Sequence, residues 1–244
     1  MRYILENKAI ENSILQVSSL NQFYGESHTL WDLNLSVVEG KCTCLMGRNG
    51  VGKTTLLQCI MGLQASRNGT INFNGQQIQK KIAEKRAGIG LGYVPQGRQI
   101  FPQLTVGENL ELGLFARKDG VKKIPDFIFE LFPVLKEMIS RRGGDLSGGQ
   151  QQQLAIGRAL VIDPKMLILD EPTEGIQPNI VHQIGDIIIQ LSTEMGITVL
   201  LVEQKLPFAR RVGDYFCIME RGKNVATGEM NELSDEFVQK FLTV

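Results

Sequence analysis

The sequence contains no apolar run that approaches the roughly 20 residues of a transmembrane helix. It also carries no net charge, because 26 Lys and Arg balance 26 Asp and Glu. Nucleic-acid-binding proteins usually have a basic surplus, so this balance argues against that class. The first eight residues, MRYILENK, lack the apolar core of a signal peptide. We therefore expect a soluble, cytoplasmic chain that has no nucleic-acid partner.

Residues that bind transition metals or form disulfides are scarce. The four cysteines, at positions 42, 44, 59 and 217, form no CxxC pair, and the histidines His28 and His182 are isolated. This pattern argues against a zinc centre and against a Ser-His-Asp arrangement, and it predicts reduced thiols in the core.

The chain has 244 residues, of which 43% are apolar, and it shows no internal repeat or low-complexity segment. This size suits one large domain, or a core with an appended subdomain. The apolar fraction is sufficient for a sizeable core.

The most informative stretch is a phosphate-binding loop of the form G-x-x-x-x-G-K-[ST]. Residues 42–46 before it predict a strand and residues 55–61 after it predict a helix, which is the context that the motif requires. Its glycines let backbone N–H groups converge on an anion, and the helix N-terminus adds a positive dipole end. The loop consists of Gly47, Arg48, Asn49, Gly50, Val51, Gly52, Lys53 and Thr54.

Two side chains of this loop carry specific chemistry. Lys53 supplies a full positive charge for the β- and γ-phosphates, and the hydroxyl of Thr54 suits Mg²⁺, a hard cation that prefers oxygen ligands. A glycine-rich turn with a chance lysine is the alternative, and the flanking strand and helix argue against it.

Two continuously apolar runs predict strands that are buried on both faces. Met166 to Leu169 leads into Asp170-Glu171, and Ile197 to Val202 leads into Glu203-Gln204. Adjacent carboxylates at a buried strand end are costly without a partner, and ligands of open α/β sheets lie at this edge. Beside a phosphate loop, Mg²⁺ is the expected partner. Without that loop the carboxylates would indicate only a polar strand end.

Two capping patterns predict helix starts. Thr105 and Glu108 form a T-x-x-E box that begins a helix towards Arg117, and Ser147 and Gln150 form an S-x-x-Q box. The second helix starts with Gly148-Gly149, which costs roughly 1 kcal/mol per glycine relative to alanine. We interpret these glycines as leaving the backbone open to a second anion. Alternatively, Ser147 serves only as a cap.

The remaining pattern predicts short strands and helices around this core. Apolar spacing within 126–142 predicts two helices that are separated at Pro133 and ended by Gly143-Gly144. Further strands are expected at 14–17, 33–38, 69–75 and 91–96, a helix near 206–212, a hairpin about 221–223, and a closing helix capped by Ser234.

Taken in order, the phosphate loop, Gln96 after a strand, Leu146–Gln150 and the strand before Asp170-Glu171 resemble the ATP-binding subunits of ABC transporters. The likeness covers nearly the whole chain. It implies an α/β fold, a P-loop NTPase of ABC type with a mixed-sheet core, an N-terminal antiparallel β subdomain and a helical insert. It also implies one domain over 1–244, with a catalytic core at about 13–96 and 146–244 and a helical subdomain at about 97–145.

The resemblance implies a role for each matching position. Tyr24 would stack on adenine, residues from Gly47 to Thr55 would hold the phosphates of ATP, and Thr54, Gln96 and Asp170 would hold Mg²⁺. Lys53, Glu171 and Gln204 would be catalytic, with Glu171 as the general base. Gln204 replaces a histidine that usually contacts the γ-phosphate, and its amide can donate a hydrogen bond but carries no charge. Ser147, Gly148, Gly149 and Gln150 would face the γ-phosphate of ATP bound on the opposite subunit.

The resemblance also implies partners. A second ATPase subunit would complete a homodimer or heterodimer at the cytoplasmic face of the membrane, where the chain would be peripheral. Membrane permeases would contact it directly, and a solute-binding protein indirectly. The apolar residues Ile100, Phe101 and Pro102 are either the permease contact or partly buried loop residues.

Local sequence further resembles the branched-chain amino acid and urea importer branch. Val202-Glu203-Gln204 and the stretch 174–178 carry this likeness, while 142–145 and 150–153 are most similar to the urea-uptake member. Gln177 stands where many members have aspartate. We therefore expect the motor of an importer for urea or a related small polar solute or amino acid. The alternatives are a branched-chain amino acid importer ATPase, a soluble ABC ATPase acting on DNA or ribosomes, and a P-loop kinase or a structural protein with a degenerate nucleotide site.

Overall fold

The computed structural model describes residues 12–242. The N-terminal stretch on which part of the cytoplasmic expectation rests lies outside these residues. Within them, no helix is long and apolar enough to cross a membrane.

The first of two β-sheets is antiparallel. In spatial order its strands are β2 (Ser27–Val38), β1 (Ser13–Tyr24), β4 (Asn68–Phe73) and β5 (Gln76–Gln77). The strands predicted at 14–17 and 33–38 are confirmed, but each belongs to a longer strand of 12 residues.

The second sheet has six strands and is parallel except at one edge. Its spatial order is β10 (Lys223–Glu229), β9 (Tyr215–Glu220), β3 (Cys42–Met46), β8 (Thr198–Val202), β7 (Met166–Asp170) and β6 (Leu91–Val94). Only β10 runs antiparallel to its neighbour among these six. Every residue of β3, β7 and β8 is buried, as the apolar runs predict. The α/β fold class with a mixed-sheet core and a separate antiparallel sheet is therefore confirmed.

The helices of the described residues pack on the two faces of this sheet or on one another. They are α1 (Lys53–Met61), α2 (Ala83–Ala87), α3 (Val106–Glu111), α4 (Asp126–Leu131), α5 (Pro133–Glu137), α6 (Gly148–Val161), α7 (Pro178–Thr193), α8 (Leu206–Val212) and α9 (Asp235–Phe241). Short 3-10 turns follow at Leu112–Ala116, Gly143–Asp145 and Met230–Glu232. The longest of these helices, α7, is absent from the sequence predictions.

Both predicted capping boxes are present. Thr105 caps α3 with Glu108, and Ser147 caps α6 with Gln150. The predicted end of the 126–142 helices is wrong, because α5 stops at Glu137 rather than at Gly143-Gly144. The chain leaves the helix there to pair with the start of α3, whose Val106 and Gly107 N–H groups donate to the carbonyls of Arg141 and Ile139.

Alternating side chains of the central strands feed two hydrophobic clusters. Cys44 of β3 and Leu201 of β8 face the cluster that includes α6 and α7, whereas Leu45 and Leu200 face the cluster with α1 and the antiparallel sheet. The four cysteines are buried free thiols. The central strands are thus fixed from both sides, and so is the edge at which they end.

Candidate functional site

A cleft of about 590 Å³ opens at the carboxyl edge of the six-stranded sheet. The parallel strands β3, β6, β7 and β8 all end at this edge. It is lined by the phosphate loop and the start of α1, by Gln96, by residues around Glu171, by the turn at 203–205, and by Thr29 of β2. The structure therefore brings together segments that are up to 176 residues apart in the sequence, from Thr29 to Lys205.

The phosphate loop depends on glycine at two positions. At Gly47 (φ 149°) a Cβ would lie 2.4 Å from the backbone oxygen of Met219, and at Gly52 (φ 103°) it would lie 2.9 Å from Leu30. Gly52 is the N-cap of α1 and provides no side-chain cap. No side chain of the N-cap therefore competes with an anion for the first N–H groups of α1.

Lys53 is buried, with 6% of its surface exposed. Its ammonium group donates to the carbonyl oxygens of Gly47 at 2.7 Å and Arg48 at 3.0 Å. Burial lowers the pKa of Lys53, while the charges of Glu171 and Asp170 act in the opposite direction. The carbonyl groups of the loop therefore hold the positively charged ammonium of Lys53 in place.

Asp170 ends β7 and lies directly beside the loop. The hydroxyl of Thr54 donates to its carboxylate at 3.1 Å. Burial raises the pKa of Asp170 to about 6; the Thr54 hydrogen bond opposes this shift and the neighbouring Glu171 charge adds to it. The two oxygen ligands predicted from the sequence are therefore adjacent, and the carboxylate is poorly solvated.

Glu171 occupies the left-handed backbone region, with φ 50°. Its carboxylate accepts hydrogen bonds from the amides of Gln204 at 2.5 Å and Gln96 at 3.4 Å. The Gln204 amide also donates to Asn49 at 2.8 Å, and the Gln96 amide to Glu174 at 2.9 Å. A network of amides and carboxylates therefore connects the predicted base to the phosphate loop.

Tyr24 does not line this cleft. It lies at the end of β1, is 47% exposed, and donates its hydroxyl to Gln58 at 3.3 Å. Gly47, Arg48 and Val51 of the loop also lie outside the lining residues.

Ser147–Gln150 line a second cleft of about 410 Å³, together with residues of α5 to α7. The two clefts share no lining residue among those described. A Cβ at Gly149 would lie 3.0 Å from Ile180, and one at Gly148 would lie 3.2 Å from the Arg98 guanidinium. A side chain at Gly149 would force Ile180 to shift, whereas the Arg98 guanidinium beside Gly148 is the end of a flexible side chain. Close packing is therefore a further reason for glycine at 149, and the sequence did not reveal it.

Sequence reasoning missed five lining residues of the first cleft: Thr29, Thr173, Glu174, Glu203 and Lys205. All but Thr29 lie within three positions of a predicted site residue. Their proximity to Glu171 and Gln204 in the chain was the available signal, but polar residues beyond a strand end carry no distinguishing pattern.

A family model described as "ABC transporter" matches residues 30–174. The chain belongs to the ABC transporter family. As an ABC cassette it binds ATP, and it is an ATPase.

Curated relatives of this cassette match along most of its length. It is 40% identical to the high-affinity branched-chain amino acid transport ATP-binding protein BraG of Pseudomonas aeruginosa, over 87% of this chain and 91% of the relative. It is 36% identical to the probable branched-chain amino acid transport ATP-binding protein LivF of Archaeoglobus fulgidus, over 90% and 94%.

Solved cassettes share the fold. A nucleotide-free cassette from an ABC transporter superposes with a TM-score of 0.81 at 29% identity, covering 95% of this chain and 96% of that one. The dimeric post-hydrolysis structure of the cassette MJ0796, bound to ADP and Pi, gives a TM-score of 0.80 at 26% identity, over 88% and 98%.

Proposed function

We propose that this cassette is the ATP-hydrolysing motor of a membrane importer for amino acids, with branched-chain amino acids as the solute class. The observation that carries the proposal is the match to BraG over 87% of the chain. The archaeal relative has a name of the same kind. The first cleft supplies the groups that such a motor needs.

ATP binding follows from the loop geometry. The ammonium of Lys53 exchanges the Gly47 and Arg48 carbonyls for β- and γ-phosphate oxygens. The N–H groups at the start of α1 bind the same phosphates. Tyr24, exposed at the end of β1, would stack on adenine from outside the cleft.

The residues at Asp170 fit Mg²⁺. Thr54 and Asp170 place a hydroxyl and a buried carboxylate 3.1 Å apart, Gln96 adds an amide oxygen, and all three are hard ligands. Burial of the Asp170 carboxylate favours a cation beside it. Mg²⁺ would neutralise phosphate charge.

Hydrolysis requires a base opposite the γ-phosphate. Glu171 is exposed to the cleft and would accept the proton of the attacking water. The amides of Gln96 and Gln204 hold its carboxylate from two sides. Gln204 therefore helps to position Glu171. This role is additional to the γ-phosphate contact implied by the family resemblance.

The second cleft indicates a two-chain arrangement. Ser147–Gln150 line a cleft that shares no residue with the cleft of their own phosphate loop, so they would close over ATP held by another cassette. The dimeric MJ0796 structure is a precedent within the family. We likewise propose that 97–145 form a helical subdomain and that 13–96 and 146–244 form the catalytic core.

The segment after Gln96 is the proposed permease contact at the cytoplasmic membrane face. Phe101 is 50% exposed, whereas Ile100 is half-buried against the core. Arg98 in this segment donates to Gln151 of α6 at 3.2 Å. A displacement of this segment by the permease would therefore be transmitted to α6, the helix that begins at the second cleft.

Solute uptake in the native host tests the proposal. Deleting the gene is expected to abolish uptake of labelled leucine, and wild-type protein but not Glu171→Gln is expected to restore it. If urea uptake is lost instead, the urea importer predicted from the sequence is favoured. Neither BraG nor LivF has urea in its name. If both uptakes persist, the importer proposal is wrong, and stimulation of the ATPase by DNA or ribosomes becomes the next measurement.

A further inference from the structure

Glu203 is a buried carboxylate to which the proposed mechanism assigns no part. It follows β8 directly and is only 2% exposed. It takes part in none of the ion pairs found between residues 12 and 242. A buried carboxylate without a cation is costly unless hydrogen bonds compensate for the lost water.

Three hydrogen bonds provide this compensation. One carboxylate oxygen accepts the backbone N–H groups of Gln204 at 2.7 Å and Lys205 at 2.9 Å. The other oxygen accepts the hydroxyl of Thr173 at 2.7 Å. The two oxygens therefore hold two different segments of the chain.

Both of these segments carry residues of the proposed hydrolytic site. Gln204 belongs to the first segment, and Thr173 lies two residues after Glu171 in the second. The side chains of Gln204 and Glu171 meet at 2.5 Å inside the cleft. Lys205 reinforces the connection, because its ammonium donates to the Thr173 carbonyl at 3.0 Å.

We infer that Glu203 is a positioning residue for hydrolysis, a buried clamp that fixes the Gln204 turn against the segment carrying Glu171. The inference rests on the proposed role of Glu171 as the base. Without the clamp, the Gln204 amide and the Glu171 carboxylate are no longer held in a fixed position relative to each other. Misplacement of a reacting group by about 1 Å can cost on the order of 100-fold in rate.

Substitutions can separate the clamp from general stability. Thr173→Val keeps the shape of the side chain but removes the donor to Glu203. Glu203→Gln retains the clamp, because its amide oxygen can accept the two N–H groups while its NH₂ donates to the Thr173 hydroxyl. Glu203→Ala removes all three bonds. Thr193→Val is the matched control, since its hydroxyl bonds to Ile189 within α7, away from the cleft.

The experiment measures kcat, ATP dissociation constant and unfolding midpoint for the full chain assembled with its permeases. Glu203→Ala and Thr173→Val are expected to lower kcat about tenfold or more while ATP affinity changes less than about threefold. Glu203→Gln is expected to stay within about threefold of wild type, and Thr193→Val to match it. In a Gln204→Ala background, Glu203→Ala is expected to add little further loss.

The clamp hypothesis is wrong if Thr173→Val and Glu203→Ala hydrolyse ATP at the wild-type rate. It is also wrong if Glu203→Gln is as slow as Glu203→Ala, with losses that follow the unfolding midpoint. A full additional loss in the Gln204→Ala background would equally reject positioning of Gln204. An assembled wild-type complex without ATPase activity would instead reject the proposed motor, and the clamp with it.

Discussion

Lys53 is held by hydrogen bonds from its ammonium to two carbonyls of its own loop, at 2.7 and 3.0 Å. Because these bonds are local, the ammonium is pre-positioned at little cost in side-chain entropy when phosphates bind. The same group carries the only full positive charge of the G-x-x-x-x-G-K-T motif that the structure places in the cleft lining.

Lys53→Ala is expected to weaken ATP binding about 100-fold. Charge-assisted hydrogen bonds contribute about 1.5–3 kcal/mol each, and 1.4 kcal/mol corresponds to a factor of ten. Titration with a fluorescent ATP analogue measures the change, with the exposed Lys80→Ala as control. Equal affinities for the two variants would remove the phosphate role from Lys53.

Asp170 makes stability depend on pH. Its pKa is about 6 in the fold against an ordinary value of 3.8. The folded chain therefore binds more protons between these values, so stability that is present below about pH 4 is lost as pH rises through about 6.

Asp170→Asn removes this loss. It is expected to raise the free energy of unfolding by about 3 kcal/mol at pH 7.5 and to change it little near pH 4, at about 1.4 kcal/mol per pKa unit. Thermal unfolding at the two pH values is the measurement. An equal rise in the free energy of unfolding at both pH values would contradict the assignment to Asp170 ionisation. Separately, Mg²⁺ with ATP is expected to stabilise wild type more than the variant.

Single residues with a distinctive motif could be predicted from the sequence, and those without one could not. Lys53, Asp170 and Glu171 follow recognisable patterns. Glu203 and Thr173 are an ordinary glutamate and threonine in the sequence, and their importance comes from a contact across 30 positions. Such a contact is visible only once the strand order β8-β7 is known.

Capping boxes start both α3 and α6, yet the two helices are expected to differ in function. Thr105→Ala and Ser147→Ala should each cost about 1 kcal/mol of stability, because each removes one N-cap acceptor. Only Ser147→Ala should also weaken ATP-driven association, since Ser147 lines the second cleft.

Denaturant unfolding and light scattering of both variants test this pair. Thr105→Ala is the control for the loss of a cap alone. If the Ser147→Ala chains associate in the presence of ATP to the same extent as the Thr105→Ala chains, then Ser147 serves only as a helix cap.

Element starts with a capping side chain were predictable, and α7 was not. Gln177, its N-cap, offers no side-chain cap, although Pro178 at the first helical position is itself a helix-start signal. Its core face is rich in isoleucine, whose branched Cβ lowers helix propensity. The spacing of Ile184, Ile187, Ile188 and Leu191 nevertheless has helical periodicity, and it was the signal that could have revealed the helix.

On the scale of the whole molecule, one chain carries two clefts that share no lining residue among those described. One contains the phosphate loop and the proposed base Glu171, and the other contains Ser147–Gln150. Neither cleft alone can surround a nucleotide triphosphate with both sets of groups.

Glu171→Gln is therefore expected to bind Mg²⁺ and ATP, to hydrolyse ATP at least about 100-fold more slowly, and to accumulate as a dimer. Size-exclusion chromatography with light scattering, with and without ATP, gives the mass. Wild-type turnover would assign the base to another residue. A monomer with ATP bound would point to a different ATPase chain as the obligatory partner, and the run would be repeated with that chain.

The fold class was predictable because strand–loop–helix order and two apolar runs specify the parallel core. The lengths of β1 and β2 were not, since their middle sections do not alternate regularly. Positive φ at Ser19 and Asp32 and shifts in register interrupt the period of two along these strands.

The separation of the two clefts has a genetic consequence. In the proposed pair of identical chains, each composite site would take its phosphate loop from one chain and Ser147–Gln150 from the other. A Lys53→Ala chain and a Ser147→Ala chain, each impaired alone, would then form a mixed pair in which one site carries both substitutions and the other carries none. Co-expression should restore uptake by complementation within a single gene, and it would do so only if this chain pairs with itself.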